Sequence, residues 1–234
     1  MMTSLRRSFM GGRIKTDKHE TLGLPILGKI KCGVLSEKGY PMSTDYFVCT
    51  GKYASLFHDV YGERPDTLLI YFPSDNPELV CNEAYVYRDN AGKKIAEGDG
   101  EVFWVYSMKT QARVRVTTDE VPDIMERVSE KFPSKTGWQI TLTIRFVLPQ
   151  VNKIYGCWEF QSKGAASTIP QIRDCFDAML ERNGKIAGVL CDLSVKFAKS
   201  DSPKQSRYPV VSLIPNESDY NVAKIKELPK ALKA

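Results

Sequence analysis

The chain has 234 residues, 42% hydrophobic and 26% charged, with 16 Gly, 13 Pro and a formal net charge of +5. That balance excludes a disordered, collagen-like or fibrous chain, and the length is enough for one large domain with its own core. No run of about 18 apolar residues occurs, which excludes a transmembrane helix, and no apolar stretch of the kind a secretory signal needs follows the positive charges of Met1–Lys18.

Residues 1–23 read as an irregular basic arm, punctuated by Gly11, Gly12 and Gly23 and without apolar period. A half-buried strand follows, in which Ile30, Cys32 and Val34 alternate with Lys29, Lys31 and Gly33. Asp45–Thr50 is the next strand. It leads through Gly51 into a helix where Tyr53, Leu56, Phe57 and Val60 recur at helical spacing, ended by Gly62 and Pro65. Leu68–Phe72 and Val80–Arg88 are strands, the second closed by the turn Asp89-Asn90-Ala91-Gly92. Gly98-Asp99-Gly100-Glu101 lacks the further carboxylates of a calcium loop and reads as a tight turn before the aromatic-rich strand Val102–Tyr106. Thr118 is placed to cap a helix through Lys131, with Pro122 in its first turn.

In Gln139–Leu148, Ile140, Leu142, Ile144, Phe146 and Leu148 face one way while Thr141, Thr143 and Arg145 face the other, the clearest period of two in the chain. Ile154–Gln161 is expected to pair beside it. A helix over Ile169–Arg182 carries Ile172, Phe176, Met179 and Leu180 on one stripe, with Ser167 or Thr168 as cap, Pro170 in the first turn and Asn183-Gly184 closing it. Val189–Ala198 and Tyr208–Ile214 complete the strands. The reading is α+β: mostly antiparallel sheet with two or three packed helices, one globular domain over residues 24–216 between loose basic ends at residues 1–23 and 217–234.

Charge is spread unevenly. Residues 1–40 hold eight Lys and Arg against three Asp and Glu, residues 41–182 sixteen against twenty, and residues 183–234 nine against five. The surplus therefore sits at the ends, on Arg6, Arg7, Arg13, Lys15 and Lys18 and on Lys224, Lys226, Lys230 and Lys233. Such arms suit nucleic-acid phosphates, or serve as solvated tails that keep a protein soluble. The pI of 8.8 falls below the value of about 9 usual for nucleic-acid-binding domains.

Catalytic chemistry finds little support. His19 lies in the irregular arm and His58 within an apolar helix, and neither adjoins a nucleophile elbow. No phosphate-binding glycine loop is present. Asp174 and Asp177, with Arg173 and Arg182, read as a solvated helix face. The six cysteines (Cys32, Cys49, Cys81, Cys157, Cys175, Cys191) lie far apart in apolar stretches, as buried reduced thiols of a cytoplasmic protein do. No metal site, cofactor or enzymatic activity is expected. Trp104, Tyr106, Trp138, Tyr155 and Trp158 are of a type that stacks single-stranded bases, although strand aromatics more often fill a core.

One junction stands out. Phe160-Gln161-Ser162-Lys163-Gly164-Ala165-Ala166-Ser167-Thr168-Ile169-Pro170 runs from a strand through small residues into a helix N-terminus. Lys163, Gly164, Ser167 and Thr168 there would hold a phosphate against free N–H groups and the helix dipole. Alternatively, the small residues only let the chain turn onto its cap.

Around this junction the chain resembles the recombination directionality factor-like proteins of phages and integrated elements. The resemblance runs from Leu24 to Asn216. It is carried by Leu24-Pro25-Ile26-Leu27-Gly28-Lys29-Ile30, Tyr40-Pro41, Asp45-Tyr46-Phe47, Tyr61-Gly62 with Pro65, and Phe72-Pro73. Further blocks are Gly98-Asp99-Gly100-Glu101, Thr141-Leu142-Thr143-Ile144-Arg145-Phe146, Gly156-Cys157-Trp158-Glu159-Phe160, Lys163-Gly164 with Ser167-Thr168-Ile169-Pro170, and Tyr208-Pro209-Val210-Val211-Ser212-Leu213. The resemblance implies a regulatory partner of a large serine integrase in a bacterial host cell, favouring excision (attL × attR) over integration. DNA would be touched directly or through the integrase, with no membrane involved. The alternative is a single-stranded DNA-binding or annealing protein of phage replication or recombination. For direct binding the candidate residues are Arg6, Arg7, Arg13, Lys15, Lys163, Gly164, Ser167, Thr168, Lys224 and Lys226.

Overall fold

Alternation of apolar and polar residues dominates residues 22–199 and 207–216, which the computed structural model describes, and eleven strands and four helices result. In order these are β1 (Ile26–Leu35), β2 (Pro41–Thr50), α1 (Ala54–Tyr61), β3 (Thr67–Tyr71), α2 (Pro77–Val80), β4 (Cys81–Arg88), β5 (Lys94–Gly98) and β6 (Val102–Ser107). Then come β7 (Ala112–Thr117), α3 (Ile124–Lys131), β8 (Trp138–Phe146), β9 (Cys157–Ser162), α4 (Thr168–Asn183), β10 (Leu190–Lys199) and β11 (Arg207–Pro215).

Eight strands form one sheet in the order β2-β1-β9-β8-β4-β5-β6-β7, and three form a second, β11-β10-β3. All these pairings are antiparallel except β1 with β9, which is parallel. The architecture is thus the α+β, mostly antiparallel arrangement that the alternation predicts.

One face of the large sheet carries the core, in two mounds. Over β2, β1, β9 and β8, the residues Phe47, Ile30, Phe160, Trp158, Leu142 and Ile144 pack with Ile169, Ile172 and Phe176 of α4 and with Leu68, Leu193 and Val211 of the small sheet. Over the other end, Tyr87, Phe103 and Val105 pack with Ile124 and Val128 of α3. Trp138 ties that helix down, its indole N–H donating to the Met125 carbonyl at 2.9 Å. Between the mounds stand Glu83 and the exposed Tyr85 of β4. Arg173 of α4 reaches across to Glu83 at 3.2 Å.

Local chemistry explains the element ends. Asp89 Oδ1 accepts from the N–H groups of Ala91 and Lys93, and Asp99 Oδ1 from those of Glu101 and Val102, so both predicted turns are Asp-nucleated. Gly184 adopts φ 66° after α4 and returns its N–H to the Leu180 carbonyl, a left-handed cap that disfavours other residues.

Several expectations are corrected. The third helix starts at Ile124, not after Thr118, because the Thr118 N–H is taken by the Glu101 carbonyl in a turn that follows β7. β5 and β7 go beyond the expected strands; in β7, an exposed edge strand, Arg113 and Arg115 alternate with Val114 and Val116 over only four residues. A single turn, α2, precedes β4 and brings the helix total to four, beyond the two or three expected. β9 begins at Cys157 rather than Ile154, and β8 ends at Phe146, after which Val147 bridges to Tyr71.

Candidate functional site

Where the parallel register of β1 with β9 ends, at Ile30 opposite Phe160, the two strands part. β1 runs on into its hairpin with β2, and β9 turns through residues 163–167 into α4. Carboxyl ends of parallel strands that diverge leave a crevice between them. Here it is an open cleft of about 670 Å³, walled by Lys29–Cys32 and Glu159–Gly164 and closed below by Thr168, Tyr208 and Val211.

Its walls are cationic and hydroxyl-rich. Lys29, Lys31 and Lys163 are exposed at the mouth, with Ser43, Ser162, Ser167 and Tyr208 around them. Lys163 Nζ donates to Gln139 Oε1 at 2.6 Å, which draws it over the large sheet. Glu159, only 8% exposed, is the one buried carboxylate in the cleft wall. Arg145 Nε lies 3.3 Å from its Oε2, Lys29 Nζ 3.7 Å from its Oε1, and Gln161 Nε2 donates to Oε1 at 3.3 Å. Buried charge needs such pairing, so this carboxylate is held as part of the wall.

The junction residues Lys163, Gly164, Ser167 and Thr168 come together at one end of this cleft. The helix terminus itself is largely satisfied from within. The Gly164 carbonyl accepts from both Ser167 N–H and Ile169 N–H, Pro170 has no N–H, and Gln171 N–H goes to the Ser167 carbonyl. Ser167 occupies the N-cap position but makes no side-chain cap bond. The Thr168 hydroxyl, 3% exposed, accepts the N–H of Val211 in β11 at 3.0 Å. Of the four, Lys163 is thus the residue that presents its charge outward. The candidates Arg6, Arg7, Arg13, Lys15, Lys224 and Lys226 lie outside the described residues.

Lys29, Lys31, Gln161 and Tyr208 line the cleft without having been singled out as site residues. The first two were legible as the outward partners of Ile30 and Cys32 in an alternating strand. Tyr208 had no such signal, since its place depends on β11 packing under α4.

Other side chains have structural settings. His58 Nδ1 lies 3.1 Å from the Gly62 carbonyl at the end of α1, with its ring edge-on to Phe57. Trp158 is core and Trp138 half-buried, whereas Trp104 and Tyr155 are exposed. All six cysteines are free thiols. Burial pushes Cys32, Cys49, Cys81 and Cys191 up to about 12 and Cys157 up to about 11, so at neutral pH they are protonated and poorly nucleophilic. Among the described residues no three His, Cys, Asp or Glu side chains converge as a metal site would require, and no helix is long and apolar enough to cross a membrane.

Fold and cleft together define a two-sheet α+β protein with a cationic recess at its parallel strand pair. The family profile described as Gp3-like, recombination directionality factor-like, matches residues 27–216, and the chain belongs to that family. Comparison with curated proteins and with solved structures found no match.

Proposed function

We propose that the protein is an accessory factor of site-specific recombination that binds a serine integrase on its attachment sites and favours excision over integration. The observation that carries this reading is the family match over residues 27–216, which takes in all the described strands and helices but for Ile26 at the start of β1. DNA cleavage and rejoining belong to the integrase in this reading. The factor works by binding one synaptic arrangement more tightly than another, and the shift it produces equals that difference in affinity. It acts in the bacterial cytoplasm, where the integrase and its DNA are found.

The test is a reconstituted reaction with the large serine integrase of the same genetic element and its four attachment sites. Addition of the protein is expected to raise attL × attR conversion, to lower attP × attB conversion, and to co-elute with the integrase. Unchanged conversion in both directions, with no co-elution, overturns the reading.

A further inference from the structure

Cross-strand partners share a face of a sheet, so the registers can be followed from one edge of the large sheet to the other. Lys29 stands opposite Thr50 and Glu159, and Glu159 opposite Arg145. Gln161 stands opposite Thr143, and Thr143 opposite Asn82. Gln139 faces Val86, Val86 faces Glu97, Glu97 faces Trp104, and Trp104 faces Arg115, with Tyr106 opposite Arg113 beside it. Lys31 lies two residues beyond Lys29, and Lys163 joins the same face through its bond to Gln139. This is the face opposite the two core mounds. Lys29, Lys31, Thr50, Gln161, Lys163, Trp104, Arg113 and Arg115 are all exposed on it.

Charge is concentrated there. Seven of the 23 Lys and Arg among the described residues lie on this face (Lys29, Lys31, Lys94, Arg113, Arg115, Arg145, Lys163), against two of the 22 Asp and Glu within its strands, Glu97 and Glu159, while Asp99 and Glu120 beyond the strand ends lie in electrostatic reach of Arg115. The rest of the described chain is therefore acidic. Both carboxylates are already paired, Glu97 with Lys94 at 2.7 Å and Arg113 at 3.7 Å, and Glu159 with Arg145 and Lys29. The cations form two groups, Lys29, Lys31 and Lys163 near β1 and β9, and Arg113 and Arg115 on β7. Between them lie the neutral hydrogen-bonding side chains Gln139, Thr143 and Asn82.

A cationic surface of this kind complements a polyanion, and the sheet's shape selects which one. Six strand steps separate β1 from β7, and at roughly 20–25° of twist per step the two groups are rotated by on the order of 120–150° relative to each other. A straight duplex engages one group and leaves the other. A flexible single strand can follow the twist, lay phosphates on both groups and stack bases on an exposed aromatic such as Trp104.

We propose that this outer face binds single-stranded nucleic acid, with phosphates held by Lys29, Lys31 and Lys163 at one end and by Arg113 and Arg115, beside Trp104, at the other. The surface does not depend on the integrase reading: an integrase-directed factor without it still shifts attL × attR conversion, and a protein with it binds an oligonucleotide alone.

The experiment is fluorescence-anisotropy titration of the full chain with a labelled oligo(dT) of roughly 20 nucleotides, a length suited to single-strand site sizes, across a KCl series. The same-length duplex is run alongside. The variants Lys29→Ala/Lys31→Ala and Arg113→Ala/Arg115→Ala are each expected to bind about tenfold more weakly and to lower the salt slope by about 1.4. Trp104→Ala is also expected to weaken binding. Lys185→Ala/Lys196→Ala, which removes two exposed cations elsewhere, should change affinity less than twofold. The side chains replaced in these variants are exposed, and thermal melts by circular dichroism check that each variant is folded. Equal weakening by the control pair, loss of binding only when Arg6, Arg7, Arg13 and Lys15 are replaced, duplex binding as tight as single-strand binding, or no binding at low salt would each overturn the proposal.

Discussion

The Thr168 hydroxyl accepts the backbone N–H of Val211 at 3.0 Å, and so joins the first turn of α4 to the middle of β11. Thr168 is 3% exposed and Val211 2%, so water cannot replace either partner. A residue that reads in the sequence as a helix cap instead supplies an acceptor to a strand more than forty positions away.

Thr168→Val is expected to strand that N–H and to cost about 1–3 kcal/mol, the penalty of a buried donor left without an acceptor. Thr168→Ser keeps the oxygen and should cost well under half as much. Urea unfolding of both variants measures the difference. Equal losses would mean that the methyl group's packing, not the hydrogen bond, carries the contact.

Thr141 offers the opposite case. Its hydroxyl is 4% exposed and, among the described residues, has no hydrogen-bond partner. Thr141→Val preserves the branched shape of a strand residue and removes the unsatisfied oxygen, so it is expected to raise stability by about 1 kcal/mol. A thermal melt suffices to test it, and a lowered Tm would show that the hydroxyl is satisfied in solution.

Glu159 and Arg145 pair across β9 and β8, with side chains 10% and 35% exposed. Among the described residues, Glu159→Ala leaves the guanidinium with only the Leu79 carbonyl as acceptor, at 3.3 Å. The expected cost is about 1–2 kcal/mol, low for a buried pair because Arg145 is partly solvated. Combined with Arg145→Met the loss should be less than additive, as a double-mutant cycle would record; strict additivity would show that the two side chains do not interact.

The buried thiols set an alkaline limit. Cys32, Cys49, Cys81 and Cys191 rise by burial from an ordinary 9.0 to about 12. Below pH 9 both folded and unfolded chains hold these protons, and stability is independent of them. Above it the unfolded chain ionises while the folded one does not, so stability falls as pH climbs from 9 towards 12. The urea midpoint should decline steadily over that window, and a flat profile to pH 11 would contradict the burial of these groups. At pH 8 the folded protein should react slowly with a thiol reagent, and the unfolded protein quickly at all six positions.

Elements with strong local period were legible in advance. β8 shows why: Leu142, Ile144 and Phe146 are fully buried, and the intervening Thr143 and Arg145 are not. α4 was equally plain from its apolar stripe, its Pro170 and its glycine cap. β7 was not, since its alternation of Arg113 and Arg115 with Val114 and Val116 spans only four residues and, at the sheet edge, buries little. β5 was also missed, because both Ile95 and Ala96 are buried and the period of two is broken there.

The candidate site was legible only in part. Lys163, Gly164, Ser167 and Thr168 do meet at one cleft, but their shared place says little about what each does. Thr168 is taken by β11, and the N–H groups of Ser167 and Ile169 by the Gly164 carbonyl. The second of these is a local turn, but the partner of Thr168 could be named only once the small sheet had been placed under α4.

By itself the sequence determined the α+β class, the principal strands and helices, the inward and outward sides of β1 and β8, and the family resemblance, because side-chain period and turn chemistry are local. Tertiary structure alone decided the parallel pairing of β1 with β9, the cleft that opens where they part, and the union of Lys29, Lys31, Lys163, Arg113 and Arg115 on one sheet face. Those depend on which strands become neighbours. Strand order follows from how two apolar mounds bury their surface against one sheet, a sum over residues far apart in the chain that no local window contains.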